Sequence, residues 1–408
     1  MGETLFLAHR VPFPPNRGDK IRSHHLLKAV AALGPVHLGT FGETDEDMAC
    51  EVELAGVARS HCLVRRTKPL PQAGLEALAS GKPVSLTAFA SPRLHGWVAE
   101  TLARYTIDRI VVFSGQMGQY VPAGFDGPVV IDLCDVDSAK FEAYARDHSW
   151  PRATLDRREA RLLAREEERL AQRADVTLLV TEAEATLFRS RLQAPDRADV
   201  RALRNGIDTD GYDPARVDRH PELAPDTGPH LVFTGQMDYP PNVAAVARMA
   251  STILPHIRLQ HPTAQFHVVG RAPAAEVRNL DGQGGVRVWG EVPDVKPFLA
   301  SADLVVAPLT IARGVQNKVL EAMAMARPVV LSTDAATGID ARDGEHFAVG
   351  QDDAALVRHA LALLSNPSAA QAMGQSARDF VVRNQGWEAM LAPLAGMLSA
   401  PQGCRDAA

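Results

Sequence analysis

A two-domain α/β protein with parallel, doubly wound sheets is the fold class this sequence predicts. Three observations lead there. Short apolar runs alternate with helical patterns along most of the 408 residues, as strand–helix–strand units require. The alternation breaks once, in a polar, proline-bearing stretch at 208–229, and then restarts. Each series is long enough to enclose its own core. The expected organisation is two Rossmann-like domains facing a central cleft, over 1–205 and 206–375, with a C-terminal helix at 376–408 packing back across their junction.

In the first series the strands read Thr4–Ala8, Val36–Phe41, Cys62–Arg65, Ile110–Phe113, Val129–Cys134, Val176–Thr181 and Val200–Leu203. A helix near Ile21–Leu33 follows the first loop, and 67–106 reads as helical and loop-rich, with turns at Pro69, Pro71 and Pro92. The second series reads His230–Gly235, Gln265–Gly270, Val286–Gly290, Asp303–Leu309, Pro328–Ser332 and the short His346–Val349, with helices over 354–365 and 368–399. Pro151–Arg173 is a helix carrying seven arginines and five acidic residues. Arg158, Arg161, Arg165 and Arg169 share a face, which suits an anionic membrane surface or a solvated helix laced with i,i+4 ion pairs. The interleaved Glu159, Glu166, Glu167 and Glu168 favour ion pairs.

Composition is ordinary for a globular chain: 46% hydrophobic, 23% charged, net charge -6, with no basic footprint for nucleic acid. Cys50, Cys62, Cys134 and Cys404 show no C-x-x-C spacing, so neither a zinc site nor a disulfide framework is indicated. The N-terminus lacks the basic and long apolar regions of a signal peptide, and no run of about 18 apolar residues appears. A cytoplasmic protein is expected, with peripheral contact at the inner membrane the sharper reading of the arginine face.

The chemistry concentrates at predicted strand ends. Arg313 to Ala326 lies between two strands, and its middle reads as a helix. At 100° per residue Asn317, Lys318 and Glu321 fall on one arc, opposite Val315, Val319, Ala322, Met323 and Ala326. A helix N-terminus after a strand favours an anion, Lys318 adds charge, and Glu321 can accept from paired sugar hydroxyls. A nucleotide fits that pattern; a Lys–Glu surface pair fits it equally. In the first loop, prolines precede Gly18, where a backbone can approach a phosphate, with Arg17, Lys20 and Arg22 surrounding it. At the end of the fifth strand, Asp135 is placed to act as base or to orient a hydroxyl, unless Asp137 or Ser138 merely caps a helix. P-loop, dinucleotide-fingerprint and serine-elbow motifs are absent.

Taken in order, several segments resemble the retaining GT-B glycosyltransferases of family 4, the glycosyltransferases group 1. They are the Gly18 loop, Val180-Thr-Glu-Ala-Glu184, Arg204-Asn-Gly-Ile-Asp208, Phe233-Thr-Gly-Gln-Met-Asp238, Val268-Val-Gly270, Val288-Trp-Gly-Glu-Val-Pro-Asp294 and Glu321-Ala-Met-Ala-Met-Ala-Arg-Pro-Val-Val330. Tyr239-Pro-Pro-Asn242 paired with Gly314-Val-Gln-Asn-Lys-Val-Leu-Glu321 is similar to a subgroup associated with bacterial exopolysaccharide and PEP-CTERM/exosortase systems. The resemblance implies sugar transfer from a UDP- or GDP-sugar to an acceptor hydroxyl, on a sugar or a lipid-linked molecule, with retention and without a metal. It puts the donor on Glu321, Lys318, Arg313, Asn317, Gly235, Gly270 and Val292. Asp135 and Gly18 are the catalytic candidates, with Arg17, Lys20, Arg22 and Ser114 on the acceptor side.

Three departures stand out. Arg313 occupies the first position of the family's Glu-x7-Glu pattern. The loop at 235–242 has Gln236 and Asn242 in place of the usual diphosphate-binding cations, which Arg313 and Lys318 are expected to supply instead. Phe113-Ser-Gly-Gln-Met117 lacks the family's histidine, so Asp135 or Ser114 would take its part. Nucleotide-sugar 2-epimerases share the architecture and are the alternative activity; a non-catalytic nucleotide- or sugar-binding subunit is the alternative class.

Overall fold

The computed structural model describes residues 2–223, 228–312 and 314–399. The chain divides into two compact units, Met1–Asn205 with Met390–Ala408, and Gly206–Ala389.

The first unit is built on a seven-stranded parallel sheet: β1 (Glu3–Ala8), β2 (Val36–Gly42), β3 (Ser60–Arg65), β4 (Ile107–Phe113), β5 (Val129–Cys134), β6 (Val176–Leu179) and β7 (Val200–Ala202), in the order β3-β2-β1-β4-β5-β6-β7. The second has six strands, β8 (His230–Thr234), β9 (Gln265–Val269), β10 (Val286–Gly290), β11 (Leu304–Ala307), β12 (Val329–Ser332) and β13 (Ala348–Gly350), ordered β10-β9-β8-β11-β12-β13. Helices on both faces bury these strands almost completely, which explains their near-continuous apolar runs. Phe6, Phe113 and Phe188 anchor one core; Phe233, Phe266 and Phe347 anchor the other. In each sheet the strand order reverses once, between β1 and β4 and between β8 and β11. The crevice at that reversal, beyond the carboxyl ends of the strands, is where such sheets bind ligands.

Four local expectations change. The helix expected over Arg313–Ala326 spans Asn317–Ala324; Ala326, two residues before Pro328, takes φ 53° and ends the run, while Arg313 lies outside the described residues. The long helix expected over 368–399 is three, Pro367–Asn384, Trp387–Leu391 and Leu394–Met397. Gly386 and Pro393 sit at the two breaks. Pro71 and Pro92 open helices at Leu70–Ser80 and Pro92–Arg104 instead of making turns, because a first-turn residue needs no amide donor. Finally, helix Arg152–Arg173 is not laced with i,i+4 ion pairs. Among the described residues Arg169–Glu166 is its one internal pair. Glu159, Glu167 and Glu168 accept instead from backbone amides of Val84 and Ser85, of Ser138, and of Gln193 and Ala194.

Candidate active site

The second unit holds a cavity of about 520 Å³ at the carboxyl ends of β8, β9 and β11. Its floor exists because two glycines let backbones meet. A Cβ on Gly270 would fall 1.6 Å from the carbonyl oxygen of Gly235. A Cβ on Gly235, itself at φ 156°, would come 2.9 Å from Asn242 Nδ2 and 3.0 Å from Lys318 Nζ. Asn242 fixes this corner: its Nδ2 donates to the Gln236 carbonyl at 2.8 Å and its Oδ1 accepts from Lys318 Nζ at 2.5 Å. The Lys318 ammonium also lies 4.2 Å from the centroid of the Phe233 ring. Burial lowers the Lys318 pKa to about 8, against a smaller opposing pull from Glu321.

Glu321 stands one turn further along the helix. Burial raises its carboxyl above the ordinary range; a hydrogen bond from the Tyr212 phenol, then the Lys318 charge, work against that. Burial and the Glu321 charge push the Tyr212 phenol upward, so it stays a donor. Tyr212 is held from behind by Arg378. That guanidinium donates to the Tyr212 carbonyl at 2.9 Å, reaches Asp213 at 3.3 Å, and also bonds the Ala324 carbonyl at the end of the helix bearing Lys318 and Glu321.

Of the residues singled out in sequence for the donor, Glu321, Lys318, Asn317, Gly235, Gly270 and Val292 line this one cavity. Sequence reasoning missed Tyr212, Tyr239 and Arg271, which line it too. Arg271 directly follows Gly270 at a parallel strand's carboxyl end, a readable signal; it donates to Gln236 Oε1 at 3.0 Å. Tyr212 carried none, since it lies in the irregular stretch between the two series.

The first unit treats its basic residues differently. Gly18 opens helix Gly18–Ala31, with open space where a Cβ would be. Arg17 pairs with Asp19 at 2.8 Å and stays half exposed. The expected ring of positive charge around Gly18 is not there. Lys20 is buried against Asp47 at 2.5 Å. Arg22 is buried between Asp132, at 2.7 Å, and Asn205 Oδ1, at 2.8 Å. Both turn inward because the buried carboxylates need a cationic partner. Ser114 is buried at φ 78°; its amide donates to the Asp132 carbonyl and its hydroxyl to Gln116 Oε1. Asp135 is exposed on the turn after β5. Asp137 begins the next helix without capping it, and neither does Ser138. Glu167 accepts from the Ser138 amide and Glu184 from the Val136 amide.

Residues 228–366, about a third of the chain, match the family model Glycosyl transferases group 1. The structure is similar along nearly its whole length to sucrose-phosphate synthase from Thermosynechococcus elongatus, at 20% identity over 97% of this chain and 98% of that one, TM-score 0.59. It is similar to HepE from Anabaena in complex with UDP and glucose, at 16% identity over 98% and 100%, TM-score 0.58. WaaG, a glycosyltransferase involved in lipopolysaccharide biosynthesis, aligns at 18% identity over 98% and 100%, TM-score 0.54. A search of curated proteins finds no match. The fold is GT-B, and the matched segment supports a transferase. That segment lies within the chain's second unit. Among the described residues no helix is long and apolar enough to cross a membrane.

Proposed function

We propose that the chain transfers a sugar from a UDP- or GDP-sugar to an acceptor hydroxyl, with retention at the anomeric carbon. The observation that carries this reading is the Lys318 ammonium. It stands half-buried at a helix N-terminus, beside backbone bared by Gly235, with no carboxylate within ion-pair distance among the described residues. A donor diphosphate would supply the missing anion. Glu321, held by Tyr212, accepts from the ribose hydroxyls, and Asn317, Gly270 and Val292 shape the wall. Arg271 adds positive charge, and Arg313 is assigned to the donor from the sequence alone.

In the reaction the bond from the anomeric carbon to the diphosphate oxygen breaks, and the acceptor oxygen takes its place. Lys318 and the helix N-terminus stabilise the charge left on the diphosphate, so no metal is required. The acceptor proton leaves to a base, for which exposed Asp135 is the candidate. Gly18, Arg17 and Ser114 serve the acceptor side, whereas Lys20 and Arg22, already paired, hold the first loop in place. A role in bacterial exopolysaccharide or glycoconjugate synthesis, in the PEP-CTERM/exosortase-associated subgroup, is the biological setting we assign. The motif pairing of 239–242 with 314–321 supports it, as does likeness to a lipopolysaccharide enzyme. The protein would work in the cytoplasm at the periphery of the inner membrane.

Calorimetry with UDP, GDP and their sugars tests the donor reading, and failure of every nucleotide to bind would overturn it. Incubation of the bound donor with sugar and lipid-linked acceptors should then release free nucleotide and give a product of unchanged anomeric configuration. Interconversion of two nucleotide-sugars without acceptor would instead make it an epimerase.

A further inference from the structure

The first unit has its own large cavity, of about 760 Å³, and it is mostly apolar. One wall is helix Leu70–Ser80. That helix buries Ala73 and Ala77 and leaves Leu70, Leu75 and Leu78 65%, 69% and 60% exposed. The facing wall is helix Arg152–Arg173, which offers Leu155 at 59% exposure. Four leucines lining one channel and left open to water are an unpartnered apolar surface of the kind that marks a binding site.

The channel is also built to stay open. Glu159, buried, takes hydrogen bonds from the amides of Val84 and Ser85 and from the Ser85 hydroxyl. Its neighbour Arg158 donates to the carbonyls of Ala77 and Lys82. These two side chains brace the walls against collapse onto each other.

One end of the channel is charged. Arg10, Glu43 and Arg66 line it, and they directly follow the carboxyl ends of β1, β2 and β3. Around them three guanidiniums share two carboxylates. Arg10 and Arg17 meet Asp19, and Arg10 and Arg66 meet Glu43. The channel therefore joins arginines at the ligand-binding edge of the sheet to leucines on its two helical walls, with Glu43, Asp156 and Glu159 as its lining carboxylates.

We propose that this channel seats an amphiphilic acceptor: an aliphatic chain along Leu70, Leu75, Leu78 and Leu155, with its phosphate at Arg10 and Arg66. This rests on the transferase reading and names its acceptor class as a phosphate-linked lipid. A bilayer surface would need an apolar face but no braced channel, and a protein helix would not need Arg10 and Arg66 beside it at the sheet edge.

The test is calorimetry of the full chain with farnesyl phosphate, set beside farnesol and inorganic phosphate. Farnesyl phosphate is expected to bind about tenfold tighter than either, since chain and charge contribute together. Leu75→Asp should weaken it roughly tenfold, and Arg66→Ala should weaken farnesyl phosphate while leaving farnesol unchanged. Circular dichroism and UDP binding, both unaltered in the variants, would show that folding and the second unit are intact. If UDP binds but farnesyl phosphate does not, or if Leu75→Asp binds it normally, the acceptor proposal falls and the donor reading stands. Binding only to phosphatidylglycerol vesicles, or a dimer that Leu75→Asp dissolves, would also overturn it by naming a different occupant.

Discussion

Two lysines occupy comparable places in the two units and meet opposite fates. Lys20 and Lys318 both lie in the first turn of a helix that follows a strand at the sheet's reversal point. Lys20 is matched by Asp47 at 2.5 Å. Lys318, half-buried, faces an amide oxygen and an aromatic ring, and its pKa drops to about 8. A buried charge that is fully paired is part of the framework. One left unpaired is held at a cost in stability, and that cost is recovered when an anion arrives.

The largest expected effect breaks the paired side. Asp132→Ala strands the buried Arg22 guanidinium, and should destabilise the first unit by about 3–5 kcal/mol, read as a loss of its unfolding transition at ordinary temperatures. A small change would mean that the pair is not truly withdrawn from water. Next comes the unpaired side. Lys318→Ala should cost UDP about 1.5–3 kcal/mol, roughly ten- to a hundredfold in Kd. Its melting temperature should stay level or rise, because an uncompensated ammonium has gone. Loss of stability with unchanged affinity would reverse the two lysines' roles.

Glycines sharpen the contrast more finely. Gly235→Ala pushes a methyl group towards Asn242 and Lys318 and should weaken nucleotide binding about tenfold. Gly18→Ala has open space and a permissive helical position, so folding should be untouched. A fall in turnover there without a fall in stability would identify a backbone that the substrate must approach closely. The mildest test is pH. Free Lys318 titrates near 8, and a bound diphosphate would raise that value. Affinity for UDP should therefore be flat below about pH 8 and decline above it, with proton uptake on binding near pH 8. Lys318→Ala should abolish both.

The alternation of strands and helices made the two sheets legible, because strands buried on both faces leave unbroken apolar runs. The lining of the second unit's cavity was legible for two reasons: Gly235 and Gly270 directly follow β8 and β9, and Lys318 and Glu321 share the polar face at the start of one helix. What failed was the reading of charge. Lys20 and Arg22 look as available in sequence as Lys318 does. Their partners, Asp47 and Asp132, are 27 and 110 residues away, and no local pattern marks them. Three glutamates of helix Arg152–Arg173 misled in the same way, since Glu159, Glu167 and Glu168 accept from distant backbone amides and not from the arginines beside them. Tyr212 was invisible because nothing periodic surrounds it.

The Arg378 clamp bears on where this protein can be cut. The matched family segment, 228–366, looks like a self-sufficient nucleotide module. It excludes Tyr212 on one side and Arg378 on the other, and these are the residues that steady Glu321 from outside. A fragment trimmed to the motif boundaries would keep Lys318 and Glu321 yet lose the brace behind them. An excised donor half should therefore start at Gly206 and run to Ala389, so that both ends of the clamp travel with the pocket they hold.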